Sequence, residues 1–180
     1  MRQPPQIQDH DRQALFSRLA IEHGRFLYRV AWSVLRHAED AEDCVQEALL
    51  KLYRGESWRQ MTNERAFLAR VVWRLAIDRR SARQPLAEEE TALRIADSRA
   101  TPESAAAEDD ERELLRELIG ELPVELRDTL RLSALEELNS REIGELMGVP
   151  EGTVRTRLMR ARAELQERWA ARRGEAVSSR

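Results

Sequence analysis

The sequence predicts an all-α protein, built as two small helical domains joined by a flexible acidic linker. Three observations carry this expectation. Apolar residues recur through both halves of the chain at the three- and four-residue steps that line one face of a helix. Alternating Val/Ile/Thr runs are missing, and the 180 residues include only 7 glycines and 6 prolines, too few for the many tight turns of a strand-rich fold. The stretch from Gln84 to Asp110 is rich in Ala and Glu and broken by Pro102. A long segment without a core is unusual inside a compact domain, so a domain boundary falls here.

The elements follow in order. Residues 1–10 are polar and expected to be disordered. Leu15, Leu19, Phe26, Leu27, Val30, Ala31, Val34 and Leu35 mark a first helix from Asp11 to Arg36. A second runs from Glu39 to Arg54, with Val45, Leu49, Leu52 and Tyr53 apolar. Glu39, Asp40, Glu42 and Asp43 occupy its first turns, where carboxylates complement the helix dipole. Gly55 is a stop signal, and the polar stretch Glu56 to Glu64 reads as a loop. A third helix, Arg65 to Arg83, turns Phe67, Leu68, Val71, Val72, Leu75 and Ile77 inward. Pro85 ends this first domain, residues 11–83. The linker, residues 84–110, has room for a short helix from Glu88 to Ile95. A second domain, residues 111–172, opens with the stripe Leu114, Leu115, Leu118, Ile119. Pro123 then starts a helix carrying Leu126, Leu130 and Leu135, and residues 173–180 form a tail.

The net charge of −3 averages over a strongly segregated pattern. Lys51 to Arg83 is net +6, Ala82 to Glu113 net −6 and Glu151 to Arg180 net +4. Two basic blocks around an acidic connector suit two phosphate-facing surfaces, although solvated helices carry charge in any case. Lys51 is the only lysine; arginine suits bidentate contacts to phosphate and guanine. Cys44 is the only cysteine, and His10, His23 and His37 are scattered, so neither a disulfide framework nor a cysteine-built metal site is expected. No apolar run approaches the ~18 residues of a transmembrane helix, and the polar start does not resemble a signal peptide. A cytoplasmic protein is expected.

The most specific local pattern lies near the C-terminus. Asn139 with Glu142 three residues on forms a capping box. Ile143, Leu146 and Met147 give an apolar face, and Gly144 is small where two helices cross closely. Gly148 suits a left-handed helix end. Val149 is the expected buried turn residue, and Pro150 opens the next helix, Glu151 to Trp169. Two crossed helices around a short glycine turn make a helix-turn-helix. Val154, Leu158, Ala161, Leu165 and Trp169 share the inward face of the second helix. Thr156, Met159, Arg160 and Ala163 lie opposite, flanked by Arg155 and Arg157. A recognition helix presents its N-terminal half to base edges. Arg155 and Arg160 suit guanine, Thr156 a base or phosphate, and Met159 a thymine methyl. Arg157 and Arg162 suit phosphate. A plain helical hairpin with a solvated arginine face is the bland alternative.

Both halves resemble the extracytoplasmic-function group of the bacterial sigma-70 family. Two segments carry the resemblance: Asp40-Ala-Glu-Asp-Cys-Val-Gln-Glu47, and Glu142-Ile-Gly-x-x-Met-Gly-Val-Pro-x-Gly-Thr-Val-Arg-Thr-Arg-Leu158 continuing to Arg162. The resemblance implies that the second helix docks on the β′ clamp coiled coil of core RNA polymerase through Asp43, Gln46 and Glu47. It implies that the loop and third helix bind and open the promoter −10 element, through Ser57, Trp58, Arg59 and Asn63 in the loop and Arg70, Trp73, Arg74, Arg79 and Arg80 on the helix. Melting requires a pocket for an unstacked base and cations for the freed backbone. Trp73 suits a base stack or the core equally. The helix-turn-helix would bind the −35 element through Arg155, Thr156, Arg157, Met159 and Arg160, and its domain would touch the polymerase β flap. The acidic linker would run toward the RNA exit path. An anti-sigma factor is a usual partner in the group. The family usually carries Asn at the position of Arg74 and Trp at Phe67, so −10 recognition is expected to differ here. Asp78, a frequent family residue, is expected to pair with a neighbouring arginine.

The expected protein is a promoter-specificity subunit that performs no chemistry, with no cofactor, no metal, no small-molecule substrate and no membrane insertion. The rival reading is a dimeric operator-binding regulator with an N-terminal sensor domain. A sensor domain gives no reason for the acidic segment ending at Glu47 to be followed by a basic helix ending Asp78-Arg79-Arg80.

Overall fold

The computed structural model describes residues 9–55, 58, 61–82, 102–135 and 138–178. They form seven helices: α1 (Asp9–Leu35), α2 (Ala38–Arg54), α3 (Glu64–Ala82), α4 (Pro102–Gly120), α5 (Val124–Ser133), α6 (Ser140–Met147) and α7 (Glu151–Ser178). No strand occurs among the described residues. Internal contacts divide the chain into two units, one built on α1–α3, the other on α4, α5, the start of α6, and α7.

The first unit is a three-helix bundle in which each helix packs on the other two. Its core is Phe16, Leu19, Phe26, Leu27, Val30, Ala31 and Val34 from α1, with Ala41, Cys44, Val45, Ala48 and Leu52 from α2. Fully burying a Leu or Val such as Leu19, Leu27 or Val30 stabilises by about 1.5–3 kcal/mol each. Arg36 ends α1 in the left-handed region at φ 56°, an uncommon conformation for a non-glycine residue. Its guanidinium lies 3.6 Å from the Trp32 ring centroid, a cation–π contact that offsets part of that cost. The ends of α1–α3 match the sequence expectation within the one or two residues by which helix boundaries differ.

The inward face of α3 differs from expectation. Leu68, Ala69, Val72, Trp73 and Ala76 are buried, whereas Phe67, Val71, Leu75 and Ile77 are only half-buried. Apolar residues occur on nearly every side of this helix, so periodicity did not select a face. Packing did. The buried residues of α2 include Ala41, Cys44 and Ala48, small side chains that admit close approach, beside Val45 and Leu52. The Cys44 thiol reaches the Val72 carbonyl at 3.7 Å.

In the second unit, α7 packs on α4 and α5. Leu122, Leu126 and Ala161 form the centre of a cluster completed by Leu130 and Leu165. Leu118, Leu132, Ile143 and Val154 are also buried. Arg127 donates to the Gly120 carbonyl at 3.0 Å, so α5 caps the end of α4. Helix α5 stops at Ser133 and buries Leu132 rather than the expected Leu135, which is half-buried beyond the helix end. Helix α4 starts at Pro102, nine residues before the expected Glu111. Proline is tolerated in a first turn, and Ala105, Ala106 and Ala107 follow, the strongest helix formers. Helix α7 continues to Ser178 past the expected Trp169. Arg172 pairs with Glu121 at 3.1 Å and Arg173 with Glu111, which tie the extension to α4 and the turn that follows it. The expected short helix from Glu88 to Ile95 lies outside the described residues.

Candidate nucleic-acid interface and acidic docking helix

The helix-turn-helix is assembled by backbone chemistry. The Asn139 side chain accepts from the Arg141 and Glu142 amides, both at 3.0 Å, and Glu142 accepts from the Asn139 amide at 2.8 Å. This reciprocal box satisfies donors that every helix start leaves open. Gly148 ends α6 at φ 73° and ψ 33°, a conformation glycine adopts at no steric cost. The Gly144 carbonyl accepts from the Val149 amide at 2.9 Å. A Cβ at Gly144 would stand 2.7 Å from the Val149 carbonyl and 3.4 Å from the Glu151 amide. Only glycine lets the turn and the start of α7 come this close. Val149, expected buried, is half-buried, because its backbone rather than its side chain makes the close contact.

This turn sets the face of α7. Val154, Leu158 and Ala161 are buried, while Arg155, Thr156, Met159 and Arg160 are exposed and Arg157 is half-buried. Met159 is 65% exposed. Arg155 pairs with Glu151 one turn earlier. The Thr156 hydroxyl donates to the Gly152 carbonyl at 3.0 Å. A concavity of about 500 Å³ opens along this face, lined in part by Ser140, Arg155, Met159, Arg162 and Gln166. Sequence reasoning missed Ser140 and Gln166. Gln166 lies seven residues after Met159 and four after Arg162, so helical spacing could have found it. Ser140 comes from α6, and only the fold brings it there.

On α2, Asp43 and Gln46 are exposed on one face, with Leu50 one turn further at 51% exposed. Glu47 is half-buried, and its two oxygens bind Lys51 and Arg79, each at 2.6 Å. Hydrogen bonds from Lys51 and then Arg79 hold its carboxyl below the ordinary carboxylate range.

Among the proposed −10 residues, Arg70 and Arg74 are exposed one turn apart on α3. The remainder depart from a simple DNA-facing set. Trp58 is buried, donates its indole N–H to the Gly55 carbonyl at 3.0 Å, and packs edge-on against Phe16. Trp73 is buried in the bundle, which answers its open alternative in favour of the core. Neither ring is available to stack on a base in this conformation. Asn63 is exposed, but its side-chain oxygen caps α3 by accepting from the Ala66 amide at 3.0 Å. Arg79 bonds Glu47 and the Asp40 carbonyl, and Arg80 is half-buried. Asp78 is exposed and makes no ion pair among the described residues, against expectation; its neighbour Arg79 takes Glu47 instead. Ser57 and Arg59 lie outside the described residues. No helix among the described residues is long and apolar enough to cross a membrane.

Comparison with known proteins joins these features. Residues 19–85 match the Sigma-70 region 2 family, and residues 112–165 match the Sigma-70, region 4 family. The ECF RNA polymerase sigma factor SigM of Mycobacterium tuberculosis is 36% identical over 158 residues, covering 86% of this chain and 76% of that protein. The ECF RNA polymerase sigma-E factor of Haemophilus influenzae is 32% identical over 160 residues, covering 80% and 83%. The fold is shared with the sigma factor RpoE solved in complex with the anti-sigma factor NepR from Bartonella quintana, at TM-score 0.60 and 20% identity over 84% of this chain and 94% of that one. The chain therefore belongs to the extracytoplasmic-function group of the sigma-70 family, the factors through which RNA polymerase recognises promoters.

Proposed function

We propose that the two units divide promoter recognition between them, with residues 11–83 engaging core polymerase and the −10 element and residues 111–172 engaging the −35 element. The observation that carries this is the exposed face of α7, where Arg155, Thr156, Met159 and Arg160 stand outward behind a capped and glycine-tightened turn. Arg155 and Arg160 read guanine, Met159 a thymine methyl, and the half-buried Arg157 a phosphate. Asp43 and Gln46 on α2 meet the β′ clamp. Arg70 and Arg74 supply cations for the −10 strand, Arg74 in place of the family's usual Asn, and the loop around Ser57, Arg59 and Asn63 receives an unstacked base. The second unit touches the β flap, and the acidic linker follows the RNA exit path.

On this reading the protein works in the cytoplasm and catalyses no reaction; polymerase supplies the chemistry. An anti-sigma factor is a further partner, supported by the sigma factor of the same fold solved with the anti-sigma factor NepR. The test is in vitro transcription with core polymerase on a genomic promoter library. Initiation at promoters sharing −10 and −35 elements is expected. A homodimer that ignores core polymerase and binds palindromic sites would overturn the reading.

A further inference from the structure

We propose that Arg79 is a positioning residue of the polymerase-docking surface, latching the −10 helix α3 to the docking helix α2 rather than contacting promoter phosphate. The inference rests on α2 being the helix that meets polymerase. Arg79 reaches two points on α2 that are seven residues apart in sequence. One guanidinium nitrogen donates to the Asp40 carbonyl at 3.2 Å, the other to a Glu47 oxygen at 2.6 Å. The two points converge because a helix carbonyl points toward the C-terminus while side chains lean toward the N-terminus. Lys51 holds the other Glu47 oxygen at 2.6 Å. Glu47 is therefore fixed between two cations, with its charge offset before any partner arrives.

The packing shows why such a latch matters. Between its two attachment points α2 buries Ala41, Cys44 and Val45, with Ala48 just beyond, so most of the buried side chains there are small. Small side chains allow close approach but interdigitate weakly, so they resist sliding or rotation of one helix on another less than large ones do. A planar guanidinium fork bonded at two separated points opposes both movements, which a point-charge ammonium does not. Asp43 and Gln46 lie on α2 between the two attachment points, and their direction follows the rotation that Arg79 sets. By contrast Arg70 and Arg74 make no ion pair among the described residues and keep their charge for DNA.

The experiment uses the full chain with core polymerase, measuring core affinity by anisotropy of labelled protein and −10 DNA binding by the assembled complex across a salt series. Arg79→Gln and Arg79→Lys should both weaken core binding, by about three- to tenfold. Amide-exchange protection across α1–α3 should stay unchanged, which separates positioning from unfolding. The double variant Glu47→Gln/Arg79→Gln should bind no more weakly than either single one, and the salt slope of −10 binding should stay the same. Full retention of core affinity by Arg79→Lys overturns the latch, as does a salt slope reduced by about one in Arg79→Gln, the mark of a phosphate contact. If Asp43→Ala and Gln46→Ala leave core affinity intact, the docking role of α2 fails. If they weaken it while the Arg79 variants do not, only the positioning role fails.

Discussion

Replacing Gly144 with alanine sets two effects of opposite sign against each other. Alanine is favoured over glycine in a helix interior by about 1 kcal/mol, because glycine loses more backbone freedom on folding. Against this, the new Cβ meets the Val149 carbonyl at 2.7 Å and the Glu151 amide at 3.4 Å. Both obstacles are backbone, so neither can swing aside. Relief to ordinary contact requires a shift of roughly 0.7 Å, and overpacking of this kind costs about 1–3 kcal/mol. The turn resists the shift through the Val149 amide bond to Gly144, 2.9 Å long. The expected net is a loss of about 1 kcal/mol in the second unit, with weaker −35 binding as α7 is displaced. Gly24, within α1, is the control, because a Cβ there meets nothing within 4 Å. Gly24→Ala should stabilise the first unit by about 0.5–1 kcal/mol. Amide exchange measured separately on α1–α3 and on α4, α5 and α7 reads each unit by itself. If Gly144→Ala stabilises its unit as Gly24→Ala does, the steric argument is wrong.

Further outcomes are expected. Arg160→Ala should cost about 1–3 kcal/mol of −35 binding and relax one base preference; equal loss on all sequences would make Arg160 a phosphate contact. Glu47, held by Lys51 and Arg79, and Glu64, held by Arg18, both lie below the ordinary carboxylate range. A carboxylate lowered on folding contributes stability that is present above about pH 4.3, its unfolded value, and lost as pH falls through the folded value. Denaturant titrations should therefore show the first unit weakening below that pH, less steeply in the variant Glu47→Gln/Glu64→Gln; an unchanged slope would show that the pairs contribute nothing. Burial pushes the Cys44 thiol up to about 11. Alkylation at pH 8 should then track unfolding, and labelling of the native protein at a free-thiol rate would contradict that burial.

Local chemistry was legible in the sequence and long-range pairing was not. Asn139, Glu142 and Gly148 act within one helix turn of their partners, so the capping box and the left-handed helix end could be read directly. Arg79 and Glu47 are 32 residues apart, and no local pattern announces their pairing. Trp58 and Trp73 show a second limit. An indole suits both a base stack and a core, and only the folded packing, with Phe16 against Trp58 and Trp73 buried, decides. On α3, Ala69 and Ala76 join Leu68, Val72 and Trp73 on the buried face while Phe67, Val71, Leu75 and Ile77 stay half-buried, a choice that apolar residues on every side of the helix leave open in the sequence. The outward exposure on α7 was read better than that on α3, since the inward residues of α7 follow one clean stripe.

The hydrogen bond from Thr156 to Gly152 has a consequence for base choice. The hydroxyl carries one proton, and the Gly152 carbonyl holds it at 3.0 Å. What remains toward the groove is a pair of lone pairs, an acceptor without a donor. In the major groove the complementary partners are the exocyclic amines, N6 of adenine and N4 of cytosine. Guanine O6 and thymine O4 offer only acceptors and would face oxygen against oxygen. A helix that keeps this hydroxyl rotamer on DNA would favour adenine or cytosine opposite Thr156. Valine there, matching its shape without the oxygen, would erase that preference while leaving the neighbouring positions of the site as they were.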